Sequence, residues 1–276
     1  MEKIQKYEYD QLTGDPDQKL KRLQDLLKSI QPGIIAFSGG LDSRFLASLI
    51  CLWQLDYQAI FFSGPHLTRF EKEFAISMLK ELKIPYKVSI TNPLNISKVA
   101  SNKKKRCYYC KSHLFAQAMI KPFIRGNKTT IIDGSNTTDS SQYRPGQQAL
   151  FELGVLSPLQ TCGFSKKEIR SYAQSLGFQA PAQPSRPCLL TRFPYNFLIS
   201  EQLLNQVSET EDSLYHLGLW DFRVRVLHNK RCCLQISENE KNSLPVTQVE
   251  LEKVLKGFGW EDPTIFFTDN LSGFFD

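Results

Sequence analysis

The segment Ser38-Gly39-Gly40-Leu41-Asp42-Ser43 carries the strongest chemical signal in the chain. Two glycines let backbone N–H groups approach an anion, and a following helix N-terminus adds partial positive charge. The two hydroxyls can donate to phosphate oxygens, and Asp42 can hold Mg²⁺ beside them. An ordinary Gly-Gly turn is the alternative, but both serines and the aspartate, set between an apolar run and a helical pattern, favour nucleotide binding. No G-x-x-x-x-G-K-[ST] and no G-x-G-x-x-G occurs, which argues against a P-loop NTPase and a dinucleotide-dependent dehydrogenase. Asp133-Gly134-Ser135-Asn136, followed by Asp139, would be read as a turn by itself.

Cys107-Tyr108-Tyr109-Cys110 presents two thiols at metal-ligand spacing, beside Arg106 and near an expected helix N-terminus, both of which lower a thiol pKa. A tetrahedral four-thiolate site wants a second such pair, and Cys232 and Cys233 are adjacent, so inert, metal-binding and redox roles all stay open. Cys188 lies between Arg186 and Arg192, a setting that favours the reactive thiolate; an incidental thiol is the alternative. Cys51 reads as helix core, and Cys162 gives no signal. Arg223 and Arg225 stand two apart on an expected strand, so both guanidiniums share a face that either clamps a phosphate or faces water. His66, His113, His216 and His228 show no metal or triad spacing.

The elements that must position these groups follow from hydrophobic periodicity. A helix over Leu20 to Ile30 ends at Pro32-Gly33, and the apolar run Ile34 to Phe37 leads through the glycine turn into a helix from Leu41 to Leu52. Strands at 59–62, 86–90 and 130–132 then alternate with helices at 69–82, 109–120 and 165–176. This alternation predicts a doubly wound α/β fold, a parallel sheet covered on both faces, with ligands beyond the carboxyl ends of its strands. Ala180 to Pro194 contains four prolines and no periodicity, and reads as a linker. A helix at 200–217, strands at 222–227 and 232–236, a helix at 246–258 and a strand at 264–267 suggest a small α+β domain. The expected division is therefore 1–180, a cysteine-bearing linker at 181–196, and 197–276.

Composition narrows the class. With 276 residues and 41% hydrophobic content, the chain has room for a large core and is not globally disordered. Its longest nearly apolar stretch, Phe45 to Trp53, is far too short to cross a bilayer. The polar start MEKIQKYEYD lacks the apolar run of a secretory signal, so a cytoplasmic protein without a membrane partner is expected. A net charge of +6, gathered partly at Lys103, Lys104, Lys105 and Arg106, suits small anions and is modest for nucleic acid.

The Ser38 to Ser43 loop resembles the pyrophosphate loop of the ATP pyrophosphatase superfamily. Joined to RCYYCK at 106–111, DGSN at 133–136, YRPG at 143–146, SPL at 157–159, PSRPCLLTRFPY at 184–195 and RVR at 223–225, the whole series resembles the LarE family. Members of that family are ATP-dependent sulfur transferases that make the nickel-pincer nucleotide cofactor of lactate racemase. The resemblance implies that ATP adenylates a carboxylate of a pyridinium biscarboxylate mononucleotide, that sulfur displaces AMP, and that a thiocarboxylate results. It implies nucleotide binding by Ser38, Gly39, Gly40, Asp42, Ser43, Asp133 and Ser135, with Mg²⁺ at Asp42. It further implies substrate contacts from Arg144, Arg223, Arg225 and Glu211, and self-association into a homo-oligomer. Cys188 matches the sulfur-bearing position: either it surrenders its own sulfur, or Cys107, Cys110 and Cys188 hold a [4Fe-4S] cluster that carries an extra sulfide.

The chain departs from that family at Cys232-Cys233-Leu234-Gln235, where relatives read A-R-I-E. A tRNA thiolase, an ammonia-dependent amide ligase and a non-catalytic nucleotide-binding regulator are the alternatives. The first would need an RNA-binding appendage, which is not evident. The second leaves the setting of Cys188 unexplained, and the third leaves Ser38, Asp42 and Ser43 without a role.

Overall fold

The computed structural model describes residues 18–120, 129–140, 145–178, 183–228, 230–244 and 246–275. Its chain forms two compact units. Helix α1 (Gln18–Ser29), β1 (Gly33–Ala36), α2 (Leu41–Leu52) and β2 (Tyr57–Ser63) come first, then α3 (Arg69–Leu82), β3 (Tyr86–Ile90), α4 (Arg106–Ile120) and β4 (Thr130–Ile132). They are followed by α5 (Pro145–Glu152), α6 (Lys166–Ser175), α7 (Glu201–His216), β5 (Phe222–Val226), β6 (Arg231–Ser237), α8 (Gln248–Gly257) and β7 (Glu261–Thr268). Helix α5 went unrecognised in the sequence; its eight residues follow Arg144, which lies outside the described residues.

The first unit comprises residues 1–62, 74–89 and 111–185. Its sheet has the order β3-β2-β1-β4, and β1 pairs in parallel with both β2 and β4. Successive strand residues face opposite sides, and Ile34 and Ile35 are both buried, so both faces of β1 are covered as a doubly wound sheet requires. Phe45 of α2 meets Phe164, Tyr172 and Phe178, which packs α2 against the α6 region. The chain runs outward from β1 through β2 to β3, then returns to place β4 on the other side of β1. The carboxyl ends of β1 and β4 therefore flank a topological switch point, where such sheets open a crevice for ligands.

The second unit holds 63–73, 90–110 and 186–276. The expected linear division at 180 gives way to one in which two earlier segments join the C-terminal part. The reason is hydrogen bonding: Leu189 N donates to His66 O at 2.9 Å, and Asn102 Nδ2 donates to the carbonyls of Phe193 and Pro194 at 3.1 and 2.8 Å. Its sheet has the order β5-β6-β7, antiparallel between β5 and β6 and parallel between β6 and β7. Pro263 is tolerated because β7 is an edge strand. Helix α7 buries Leu204, Val207, Glu211 and Leu214 at helical spacing, which places a carboxylate inside the core. Among the described residues no helix is long and apolar enough to cross a membrane.

Candidate functional site

In the first unit, the turn after β1 needs its glycines. Gly39 adopts φ +77°, and a Cβ there would also meet the Cβ of Ala75 at 3.0 Å. Gly40 is the N-cap of α2 and gives no side-chain cap, so the first N–H groups of the helix stay oriented outward as an anion site. Ser38 Oγ and Ser43 Oγ stand 3.2 Å apart; Gly40 N donates to Ser38 Oγ at 3.3 Å and Ser43 Oγ to Gly40 O at 3.0 Å. The two hydroxyls thus brace the loop from both ends.

The β4 loop closes on this turn. A Cβ on Gly134 would stand 2.9 Å from Ser43 N, so only glycine lets the loop lie against the start of α2. Asp133 accepts from Ser135 Oγ and Ser157 Oγ, both at 2.6 Å, so Ser157 of the SPL segment serves to tie down the aspartate. Asp42 Oδ2 accepts from Lys166 Nζ at 2.6 Å and from Asn136 Nδ2 at 3.2 Å. The structure thus brings Ser38, Gly39, Gly40, Asp42, Ser43, Asp133 and Ser135 to one sheet edge. It adds Lys166 and Asn136, which sequence reasoning did not name as site residues. Lys166 opens α6 behind the Ser165–Glu168 capping box, and a lysine at a helix N-terminus, where the macrodipole disfavours a cation, is the signal that marked it.

In the second unit, Cys107 and Cys110 lie in the first turns of α4, which starts three residues earlier than periodicity predicts. Cys188 caps the 3-10 turn Leu189–Arg192 and is half-buried against the core cluster that includes Leu189, Leu190 and Phe193. The expected thiolate is not what this setting favours. Burial pushes the Cys188 thiol up to about 11, the neighbouring Cys107 thiol raises it further, and Arg106 and Arg192 oppose without prevailing. Both flanking arginines are engaged elsewhere. Arg186 stacks over Tyr215 at 4.3 Å and donates to Trp220 O at 2.9 Å. Arg192 is spent on Glu211, through Nε to Oε1 at 2.6 Å and Nη2 to Oε2 at 3.0 Å.

Glu211 also accepts from Val224 N at 2.9 Å, and both members of the ion pair are 1% exposed. Burial opposes ionisation of Glu211, yet the Arg192 guanidinium outweighs it and holds the carboxyl below its usual range. Arg223 and Arg225 share a face of β5 as their spacing predicts, but both are buried. Burial and the nearby Arg192 push Arg223 down to about 9. Arg225 donates to Gln235 Oε1 at 2.6 Å, to Thr191 O at 2.8 Å and to Leu271 O, and lies over the Phe274 ring at 5.4 Å. Gln235, one of the departures from A-R-I-E, is thus the Arg225 partner on the neighbouring strand, accepting through its amide oxygen.

Two metal groups can be tested against these residues. Mg²⁺ commonly takes one or two carboxylates plus phosphate oxygens, and Asp42 at the start of α2 fits that donor set. For a [4Fe-4S] cluster the donors would be Cys107, whose thiol acts on that of Cys188, with Cys110 and Cys188, which pack against the same core cluster. A cavity of ≈ 420 Å³ lined by Ile34, Met119, Ile131 and Leu156, among others, has no titratable side chain and offers no chemistry.

The fold and the glycine turn together define an α/β protein with a glycine strand–turn–helix at the switch point of its parallel sheet. No protein-family model matches the chain. Over 261 residues it is 32% identical to an uncharacterized protein of Synechocystis sp., covering 94% of this chain and 95% of that one. It is likewise 32% identical over 225 residues to an uncharacterized protein of Methanocaldococcus jannaschii, covering 82% and 84%. A third relative, 27% identical over 250 residues, is the pyridinium-3,5-bisthiocarboxylic acid mononucleotide synthase of Lactiplantibacillus plantarum, with 90% of this chain and 88% of that protein aligned. The chain belongs to the family of the Synechocystis and Methanocaldococcus proteins.

Proposed function

We propose that the chain is a LarE-type sulfur transferase that uses ATP to convert a carboxylate of pyridinium-3,5-biscarboxylic acid mononucleotide into a thiocarboxylate. The observation that carries the reading is the similarity, over nine-tenths of the chain, to the synthase of L. plantarum. The braced turn of the first unit supports the ATP half. Backbone N–H groups at the start of α2 and the Ser38 and Ser43 hydroxyls would hold the phosphates, and Lys166 would add a cation to them. Asp42 would hold Mg²⁺ with the phosphates, and that ion neutralises charge on the departing pyrophosphate.

Cys188 supplies the sulfur in this reading. Its thiolate attacks the acyl carbon of the adenylate, the C–S bond forming as the bond to AMP breaks. Removal of the Cα proton then expels the thiocarboxylate and leaves dehydroalanine, so each polypeptide acts once. The high thiol pKa fits a sulfur kept protonated, and thus unreactive, until the adenylate is present. The test is the intact mass of the protein after incubation with ATP, Mg²⁺ and the mononucleotide. Thiocarboxylate, pyrophosphate and loss of the elements of H₂S at Cys188 are expected. Thiolated product with an unchanged protein mass would refute Cys188 as donor, and no pyrophosphate would refute the reading itself.

A further inference from the structure

Arg106 opens α4 and is 7% exposed, yet its Nε and Nη1 have no hydrogen-bond partner. Among the described residues no carboxylate pairs with it. Its contact is with the Tyr195 ring at 4.9 Å, over which Lys104 Nζ also lies at 5.8 Å. A buried guanidinium with idle donors is costly, because the charge has left water and gained nothing in exchange. Such groups persist where a ligand completes them. Two further observations place this one in a functional setting. The Arg106 charge acts on the Cys188 thiol, and Cys110, one turn along α4 from Arg106, packs against the same core cluster as Cys188. Lys103 Nζ donates to Asn196 Oδ1 at 3.0 Å and Lys104 shares the Tyr195 ring, so the surroundings of Arg106 are cationic and favour an anion.

The geometry points to Arg106 as a carboxylate-binding residue that holds one carboxylate of an aromatic dicarboxylate substrate beside Cys188. The inference rests on the sulfur-transferase reading for the identity of that substrate. The idle Nε and Nη1 can donate charge-assisted hydrogen bonds to a carboxylate, and the helix N-terminus adds partial positive charge. A substrate with two carboxylates can present one to ATP and the other to Arg106. Arg106 thereby selects for the dicarboxylate over a pyridine with a single carboxylate.

The test compares the full-length protein with Arg106→Gln and Arg106→Lys, titrating each calorimetrically with pyridine-3,5-dicarboxylate and with pyridine-3-carboxylate. Wild-type protein should prefer the dicarboxylate by about tenfold or more, the scale of a hydrogen bond to a charged group. Arg106→Gln should abolish that preference. Arg106→Lys keeps the charge without the planar donors and should restore only part of it, and it decides the matter if the glutamine variant does not fold. Equal preference in all three proteins, or no binding of the dicarboxylate by wild type, would overturn the inference. Pyrophosphate release on the same preparations separates the two ideas. Preference lost on substitution with no pyrophosphate from wild type keeps the Arg106 site and discards the transferase reading. Pyrophosphate release with an unchanged preference keeps that reading and discards the site.

Discussion

Glu211→Gln removes one charge from the core of the second unit while keeping the side chain's size. Glu211 accepts two hydrogen bonds from Arg192 and one from Val224 N, with both ionic partners 1% exposed. A glutamine oxygen can keep the Val224 bond, but its NH₂ group faces a guanidinium that then stays buried without an anion. Breaking such a pair from one side costs about 3–5 kcal/mol, and the surviving backbone bond argues for about 3. Urea unfolding followed by tryptophan fluorescence reads this unit, because Trp260 Nε1 bonds Thr210 Oγ1 on the same helix. With a slope of about 1–3 kcal/mol/M, the midpoint should fall by about 1–3 M. Arg192 closes the turn that Cys188 begins, donating to Thr191 Oγ1 at 3.0 Å, so sulfur transfer should fall as well. The pH dependence has a definite sign. The folded-state pKa is depressed, so the pair's contribution is present above about pH 4.3 and is lost as pH falls through the folded value. The variant and wild type should therefore converge in acid. A midpoint change worth less than about 1 kcal/mol, or a difference that grows below pH 4, would refute the account.

Four further outcomes follow from the geometry. Single-turnover sulfur transfer should quicken by about tenfold per pH unit from 7 to 9 as the Cys188 thiolate fraction rises below its pKa of about 11, while pyrophosphate release stays flat; a flat transfer rate argues against Cys188 as the nucleophile. Lys166→Ala should weaken ATP binding by about tenfold or more, since it removes a cation set 2.6 Å from Asp42 at the proposed phosphate turn, and equal ATP affinity by calorimetry would remove Lys166 from the site. Gly134→Ala forces a Cβ to 2.9 Å from Ser43 N and 3.2 Å from Asp42 C, a backbone clash worth about 1–3 kcal/mol, so pyrophosphate release should drop; unimpaired release would show that the β4 loop is free to shift. His66 is held neutral, its pKa pushed down to about 4 by burial and then by Lys72. Stability from this histidine is present above about pH 6.5 and is lost as pH falls toward 4, so His66→Asn should flatten the urea-midpoint profile in that window, and an unchanged slope would contradict it.

Much of the first unit was legible because its signals are local. Ile34 to Phe37, the glycine pair and the periodic leucines lie within twenty residues of one another, and strand, turn and helix follow from that run. Parallel pairing of β1 with β2 and β4 also followed, since alternating elements demand it, whereas the order of strands came only with the structure. The second unit was harder to read. The contribution of 63–73 and 90–110 to it depends on backbone bonds such as Leu189 N to His66 O, which leave no periodic trace. Arg192 and Arg186 looked like thiolate partners because sequence shows adjacency to Cys188 and not where a long side chain ends.

By itself the sequence determined which groups exist and which local elements bear them: the glycine turn with its two serines and Asp42, the C-x-x-C on a helix, Cys188 in a proline-rich loop, and two arginines on one face of a strand. The tertiary structure decided what those groups meet. It set Lys166 on Asp42 across 124 residues, turned Glu211 inward to Arg192, enclosed Arg223 and Arg225, and left Arg106 buried with idle donors. The physical reason is that backbone propensity and turn chemistry act over a few residues, whereas desolvation and charge pairing depend on distances that exist only once the chain has folded.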